Sequence, residues 1–189
     1  MIRIAYDMGM GNGDWPAMIL PAAARLDESI QYTLYPNLLE GGQVGSPPLP
    51  KLANVCSAKE SSPNLAGQLH QLPAGGDLES MLGGPDIIHL AGPYCPLLLR
   101  RARVVVTLTE SSCDLTGGKM DAQARAGQMA GLFNAAVFAD RFFCVGEKAA
   151  QNLRELFPGI APSKIVVVGK DVDADARRLV QAYRKIAAP

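Results

Sequence analysis

Two residues whose side chains can transfer a proton or stabilise a charge stand at the ends of predicted β-strands. His89 ends one buried apolar run, and Glu110 follows the next one. Side chains at the carboxyl ends of parallel strands face the ligand cleft of an α/β protein, where an imidazole or a carboxylate can act as acid or base. We therefore predict His89 and Glu110 as catalytic residues. The alternatives are a hydrogen-bonded structural histidine and a solvated loop carboxylate.

Polar residues next to these positions are predicted to bind substrate. Ser111 and Ser112 can hydrogen-bond ligand hydroxyls, although serines after a strand are also common turn formers. Thr109 is grouped with them because it immediately precedes Glu110. Glu147 starts a predicted helix and is a candidate for ligand contact across the cleft. Its alternative role is that of an N-terminal carboxylate stabilised by the helix dipole.

A glycine-dense turn follows the first predicted strand and holds Gly9, Gly11 and Gly13. A dinucleotide fingerprint needs the spacing G-x-G-x-x-G, and the spacing here is G-x-G-x-G, so that fingerprint is absent. The backbone N–H groups of such a turn, together with the dipole of the following helix, can still bind an anion. The alternative is a tight strand-to-helix turn that needs positive φ angles.

Two aromatic residues and three arginines complete the set of candidates. Tyr94 and Trp15 flank the predicted mouth of the cleft, where either ring can stack on a ligand, with core packing as the alternative. Arg100, Arg101 and Arg103 form a small basic cluster. That cluster is suited to a phosphate or lipid phosphate, with a solvated helix end as the alternative.

The elements that must position these residues alternate between apolar strands and helices. Continuous apolar strands indicate a parallel sheet covered on both faces, and right-handed crossovers then give a doubly wound, mostly parallel, Rossmann-like sheet in a single three-layer α/β domain. Ligands of such sheets bind at the carboxyl ends of the strands, which selects the loops after Tyr6, Leu90, Leu108 and Val145. The predicted strands are Ile2 to Tyr6, Gln31 to Tyr35, Leu52 to Ser57, Asp86 to Leu90, Arg103 to Leu108, Asp140 to Val145 and Lys164 to Val168. The predicted helices are Trp15 to Leu26, Asn64 to Leu72, Asp77 to Leu82, Pro96 to Arg101, Ala122 to Val137, Glu147 to Phe157 and Asp175 to Ala187.

Composition restricts the classes of partner. The 189 residues include 18 Lys plus Arg and 18 Asp plus Glu, so the net charge is zero and the basic excess typical of nucleic-acid binding is missing. The four cysteines are scattered without a C-x-x-C pair, so neither a metal site nor a cofactor is predicted. No apolar run is long enough for a membrane span, and the N-terminus lacks a signal-peptide pattern. These features predict a cytoplasmic protein without an integral membrane segment.

Four blocks in the second half resemble family 4 of the retaining glycosyltransferases, in order and spacing. D-I-I-H-L-A-G-P at 86–93 is similar to that family's D-V-V-H-x-H-G, and R-V-V-V-T-L-T-E at 103–110 is similar to V-V-x-T-x-H-D/E. A-D-R-F-F-C-V-G-E at 139–147 is similar to A-D-x-x-x-x-V-S-E. The segment 157–168 resembles the stretch before the interdomain hinge, and G-K-D-V-D at 169–173 stands where the family has P-N-G-V-D.

The resemblance implies the N-terminal, acceptor-side domain of a two-domain enzyme that transfers a hexose from a nucleotide sugar. In such enzymes a glycine pair after the first strand contacts donor phosphate, and the C-terminal domain binds the nucleotide sugar. The last helix of relatives crosses back onto the N-terminal domain. We therefore expect residues 1–173 to form the acceptor-side domain and residues 174–189 to form a helix that packs back on it. The donor domain is expected to be absent from this sequence.

The chain also departs from the family pattern. Thr109 stands where relatives have the histidine of T-x-H, Ala91 replaces the second histidine of H-x-H, and Gly146 replaces the serine of V-S-E. A threonine cannot act as a base near neutral pH. Three functions stay open. The chain is a transferase half that needs a partner domain, partner chain or homo-oligomer; a binding module that has lost activity; or another nucleotide- or phosphate-binding α/β protein. Its predicted ligands are a nucleotide sugar and a sugar or lipid-phosphate acceptor.

Overall fold

A computed structural model describes residues 1–8, 15–35, 51–58, 78–93, 101–115 and 121–188 of the chain. Four predicted substrate-binding residues, Gly9, Gly11, Gly13 and Tyr94, lie outside these ranges, as do Arg100 and the predicted helix at Asn64 to Leu72. Most of the predicted helix at Pro96 to Arg101 also lies outside them.

The described strands all belong to one parallel sheet. Its strand order is β3-β2-β1-β4-β5-β6-β7, so the order reverses between β1 and β4. The predicted doubly wound, Rossmann-like α/β fold is therefore confirmed. The strands are β1 (Ile2–Asp7), β2 (Ile30–Tyr35), β3 (Val55–Ser57), β4 (Ile87–Ala91), β5 (Arg103–Leu108), β6 (Arg141–Val145) and β7 (Ile165–Val168).

Helices connect these strands and lie on the two faces of the sheet. The predicted bounds differ from the observed ones by a few residues at several ends, and the short helix after β5 was not predicted. The helices are α1 (Trp15–Leu26), α2 (Leu78–Met81), α3 (Glu110–Cys113), α4 (Ala122–Phe138), α5 (Glu147–Leu156) and α6 (Val172–Ala187), with a 3₁₀ turn at Pro162–Lys164.

Apolar side chains alternate between the two faces of each strand and build two core layers. In β5, Val105 faces the layer with α1 and α6, whereas Val106 faces the layer with α3 and α5. Leu153 of α5 and Leu179 of α6 are fully buried, one in each layer. Burying one such leucine contributes about 1.5–3 kcal/mol. The sheet is thus a rigid platform, and the residues at its strand ends are held in place by packing beneath them.

Helix α6 runs from the end of β7 back to the first part of the fold. It begins at Val172, three residues before the predicted start, because the Asp171 side chain caps it by accepting from the N–H of Ala174 at 2.9 Å. Near its far end, the Arg184 guanidinium donates to the Asp27 carboxylate at 2.7 Å. Helix α6 also packs along α1. The helix therefore joins the last strand to the α1–β2 connection.

Candidate functional site

The candidate site is the edge of the sheet where β1, β4, β5 and β6 end, which we call the carboxyl rim. Its reversal point lies between β1 and β4, the usual ligand position in this class of sheet. Asp7, the last residue of β1, is 1% exposed, and its Oδ2 accepts from the N–H of Ala91 at 3.2 Å. This carboxylate links the two strands at the reversal point. Sequence reasoning missed Asp7, although a carboxylate that ends an apolar strand just before a glycine turn is a usable signal.

The turn after β4 is fixed by a glycine. Gly92 has a φ of 108°, and its N–H donates to the carbonyl of Thr107 in β5 at 2.9 Å. A residue with a side chain rarely adopts this φ, so glycine is required at the point where the chain leaves the rim.

His89 lies inside the core, two residues before the end of β4 at the rim. Its side chain is buried, its Nδ1 hydrogen-bonds the Tyr183 hydroxyl of α6, and its Nε2 lies 2.6 Å from the Thr107 Oγ1. The ring also packs between Tyr6 and Phe143, at centroid distances of 4.5 and 5.9 Å. Burial lowers the pKa of His89 from its ordinary 6.5 to about 3, so the ring is neutral near pH 7. With both nitrogens engaged and no exposed surface, this geometry supports the structural alternative over the catalytic role.

The end of β5 carries a cluster of hydroxyl groups. The Thr109 Oγ1 lies 2.9 Å from the Ser111 Oγ and 3.0 Å from the Ser112 Oγ, and the Ser112 Oγ accepts from the N–H of Thr109 at 3.1 Å. The Gln128 side chain of α4 donates to the carbonyls of Ser111 and Ser112 at 3.0 and 2.7 Å. These bonds order the first turn of α3. Thr109 and Ser111 lie together, and Ser111 is exposed.

Glu110 lies in a polar groove of about 400 Å³ between α3 and α5, which we call the α3–α5 groove. Its volume falls in the range of small-ligand sites. Lys148 lines the same groove and was missed by the sequence reasoning, although it directly follows Glu147. The groove is lined by Glu110, Cys113, Asp114, Leu115, Lys148, Asn152, Glu155 and Leu156.

The one thiol in this groove is Cys113, and it is not a nucleophile near neutral pH. Cys113 is 3% exposed, and burial raises the pKa of its thiol to about 11. Only a thiolate attacks efficiently, so this thiol is inert under ordinary conditions. The groove therefore offers carboxylate, amide and ammonium groups for hydrogen bonding, without a covalent nucleophile.

Glu147 occupies the first turn of α5, where the helix dipole stabilises a carboxylate. It is exposed and directly follows Gly146, whose φ of 91° turns the chain from β6 into the helix. The N–H of Gly146 donates to the carbonyl of Val168 at the end of β7, at 2.8 Å. Glu147 is thus at the carboxyl rim, but it does not line the α3–α5 groove with Glu110.

Trp15 and the two described arginines, Arg101 and Arg103, are the remaining candidates. Trp15 is 6% exposed in the core layer under α1, which agrees with the packing alternative. Arg101 lies two residues before β5, and Arg103 is the first residue of β5. Both therefore lie at the amino edge of the sheet, opposite the predicted cleft. The length of β5 therefore separates these two arginines from the carboxyl rim.

Clusters that could hold a metal ion and helices that could span a membrane are both absent from the described ranges. No group of three or more His, Cys, Asp or Glu residues in these ranges could hold a metal ion. Over the same part of the chain, none of the helices has the length and apolar character needed to cross a membrane.

The fold and the position of the rim define a Rossmann-like α/β domain. Sucrose-phosphate synthase from Thermosynechococcus elongatus, in a structure comprising residues 27–220 and 406–426, matches with a TM-score of 0.58 over 98% of this chain and 99% of that chain, at 11% identity. The MnaA–UDP structure from S. aureus matches with a TM-score of 0.50 over 94% of this chain and 46% of that chain, at 14% identity. These identities establish a shared fold. No protein-family model matches the sequence, and no curated protein sequence matches it.

Proposed function

We propose that this chain is the acceptor-side domain of a two-domain glycosyltransferase, with its carboxyl rim facing a second domain that holds a nucleotide sugar. The second domain is on this polypeptide or on a partner chain. In the reaction, the bond from the sugar C1 to the nucleoside diphosphate breaks, and a bond from C1 to an acceptor hydroxyl oxygen forms. The nucleoside diphosphate leaves with the electron pair of the broken bond, and its oxygen takes up the proton that the acceptor hydroxyl loses. The acceptor domain contributes positioning and hydrogen bonding.

The path of α6 is the observation that carries this proposal. An ordinary crossover helix would lie over β7 and its neighbour, whereas α6 reaches Asp27 after α1 and places Tyr183 against Tyr32 of β2, at a ring distance of 6.3 Å. A C-terminal helix that returns to the first domain is the arrangement that the two-domain resemblance implies.

The α3–α5 groove and the adjoining rim are the proposed acceptor site. Glu110 accepts a hydrogen bond from an acceptor hydroxyl, and Lys148 and Asn152 donate to its other oxygens. Ser111 and Glu147 extend this polar surface along the rim. Asp7 keeps β1 and β4 in register beneath it. His89 has no contact with substrate in this proposal and supports the rim from below.

A second candidate is a binding module without activity, and one observation favours it. Thr109, which stands where the resembling family has a histidine, caps α3 through its contacts with Ser111 and Ser112 instead of presenting a base. Under this alternative the groove still binds a sugar, but no transfer follows when a donor domain is supplied.

Unphosphorylated sugars provide the test, measured by ligand-observed NMR on the full chain. We expect a panel of mono- and disaccharides to include a binder whose signal falls in Glu110→Gln and Lys148→Gln but not in Glu28→Gln, an exposed carboxylate in the α1–β2 connection. UDP-glucose should bind the chain no better than the sugar does. Tight UDP-glucose binding, or the absence of any sugar binder, would overturn the acceptor-side assignment. Transfer activity with an added donor domain separates the enzyme from the inactive module.

A further inference from the structure

A cavity of about 530 Å³ lies at the amino edge of the sheet, opposite the carboxyl rim, and we call it the amino-edge cavity. It forms where β1, β4 and β5 begin, and the last turn of α6 makes one wall. Its volume is that of a small-ligand site. The lining residues are Arg3, Glu79, Ser80, Gly84, Pro85, Asp86, Arg101, Arg103, Ile186, Ala187 and Ala188.

Three arginines line this cavity, and they come from two separate parts of the sequence. Arg3 lies in β1, Arg101 precedes β5, and Arg103 begins it. Arg101 and Arg103 are close in the sequence, whereas Arg3 is brought to them only by the pairing of strands in the sheet. Arginine is the residue best suited to phosphate oxygens, because its planar guanidinium can donate two parallel hydrogen bonds.

The two carboxylates of the cavity are largely used by main-chain N–H groups. Glu79 is 7% exposed, and its Oε1 accepts from the N–H groups of Arg101 and Ala102 at 2.7 and 2.8 Å. The Asp86 Oδ2 accepts from the N–H of Arg3 at 2.8 Å. These bonds hold the main chain at two of the three arginines in a fixed position.

The arginine side chains retain capacity for a ligand. The Arg3–Asp86 and Arg103–Asp140 pairs are long, at 3.6 and 3.4 Å, and both arginine side chains are more than half exposed. Such exposed pairs contribute little and exchange readily for a better partner. Within the described ranges, no carboxylate lies at ion-pair distance from the Arg101 guanidinium. The carbonyl end of α6 is negative, but Lys185 in its last turn offsets that charge.

We propose that the amino-edge cavity binds a phosphate or diphosphate group through Arg3, Arg101 and Arg103. This site is separate from the proposed acceptor site, since it lies at the opposite ends of the same strands. The phosphate belongs either to a free phosphorylated molecule or to a lipid headgroup. The chemistry of recognition is the same in both cases, and the source is decided by experiment.

The test uses the full chain with inorganic pyrophosphate in isothermal titration calorimetry at low ionic strength. Losing one charged hydrogen-bond donor should weaken binding by about tenfold or more, so Arg101→Gln and Arg103→Gln should each show that loss. Arg177→Gln removes an exposed arginine from α6, far from the cavity lining, and should bind like the wild type. Because Arg103 also pairs with Asp140, the Arg101→Gln result is decisive if Arg103→Gln lowers the melting temperature.

A parallel flotation assay assigns the source of the phosphate. It compares vesicles of phosphatidylcholine plus phosphatidic acid with vesicles of phosphatidylcholine alone. Vesicle binding that Arg101→Gln abolishes assigns a lipid headgroup, and pyrophosphate binding without vesicle binding assigns a free phosphorylated molecule. The proposal is overturned if neither probe binds, or if Arg101→Gln binds both probes as well as the wild type does.

Discussion

The imidazole of His89 in β4 and the hydroxyl of Tyr183 in α6 are joined by a buried hydrogen bond through Nδ1. This bond connects the strand next to the reversal point with the helix that returns from the far end of the chain. The second ring nitrogen is satisfied by Thr107 in β5. The three groups therefore join α6 to two neighbouring strands directly beneath the carboxyl rim. Substitutions at these residues should destabilise both the core and the rim.

Removing the Tyr183 hydroxyl should destabilise the fold. Tyr183→Phe leaves the Nδ1 of a fully buried histidine without a partner, which costs about 1–3 kcal/mol of unfolding free energy. Tyr32→Phe is the matched control, because the Tyr32 hydroxyl is buried without a hydrogen-bond partner among the described residues. That control should be neutral or stabilising. Urea unfolding of the two variants checks the pair, and equal losses would contradict the His89–Tyr183 bond.

The neutral state of His89 predicts a pH dependence of stability. The unfolded histidine takes up a proton below its ordinary pKa of 6.5, whereas burial keeps the folded ring neutral down to a pKa of about 3. Between these values the unfolded state binds more protons, so stability should fall as the pH falls. His89→Gln should show a urea midpoint that depends less on pH over this window. His70 is present in both proteins, so its contribution to the pH dependence cancels in the comparison. An NMR titration that protonates His89 near its ordinary pKa would refute this.

The Asp27–Arg184 pair predicts a second loss of stability, at lower pH. The hydrogen bond from Arg184 is the main cause that holds the pKa of Asp27 below 3.8, with burial opposing it and Ser29 assisting. The stabilisation that this pair contributes to the fold is present above pH 3.8. It should be lost as the pH falls through the lower pKa that Asp27 has in the folded state. We expect Arg184→Gln to melt at a lower temperature than Arg177→Gln near neutral pH, and the two variants to converge in acid. If the difference in melting temperature between the two variants stayed constant down to the pH of acid unfolding, the Asp27–Arg184 pair would be excluded as the source of that difference.

Local sequence signals predicted the sheet better than they predicted the site. The run Arg103–Leu108 was predicted with the observed bounds, because five consecutive buried, mostly β-branched residues leave few alternatives to a central strand. The contact of His89 with Tyr183 could not be predicted, since it joins residues 94 positions apart through the unusual return path of α6. The position of Arg3 beside Arg101 and Arg103 could not be predicted either, because only the assembled sheet brings the starts of β1 and β5 to one cavity.

Gly169 should be intolerant of any side chain, and this prediction tests the junction that starts the return of α6. Its φ is 101°, and a Cβ there would lie 3.1 Å from the Cγ1 of Val145 and 3.5 Å from the N of Gly146, at the end of β6. The N–H of Gly169 also donates to the buried Asp175 carboxylate at 2.5 Å, so the chain cannot easily shift away. Gly169→Ala should therefore cost about 1–3 kcal/mol of unfolding free energy.

The control for Gly169→Ala is Gly127→Ala, inside the exposed part of α4. A Cβ at Gly127 would meet no atom within 4 Å, and its φ is not positive. Alanine is the better helix former by about 0.5–1 kcal/mol, so this variant should be slightly more stable than the wild type. Thermal unfolding of both variants gives opposite signs if the junction at Gly169 is as tight as the distances indicate. A neutral Gly169→Ala would mean that β6 and β7 can separate at the rim, and the position of α6 would then no longer be fixed by its first turn.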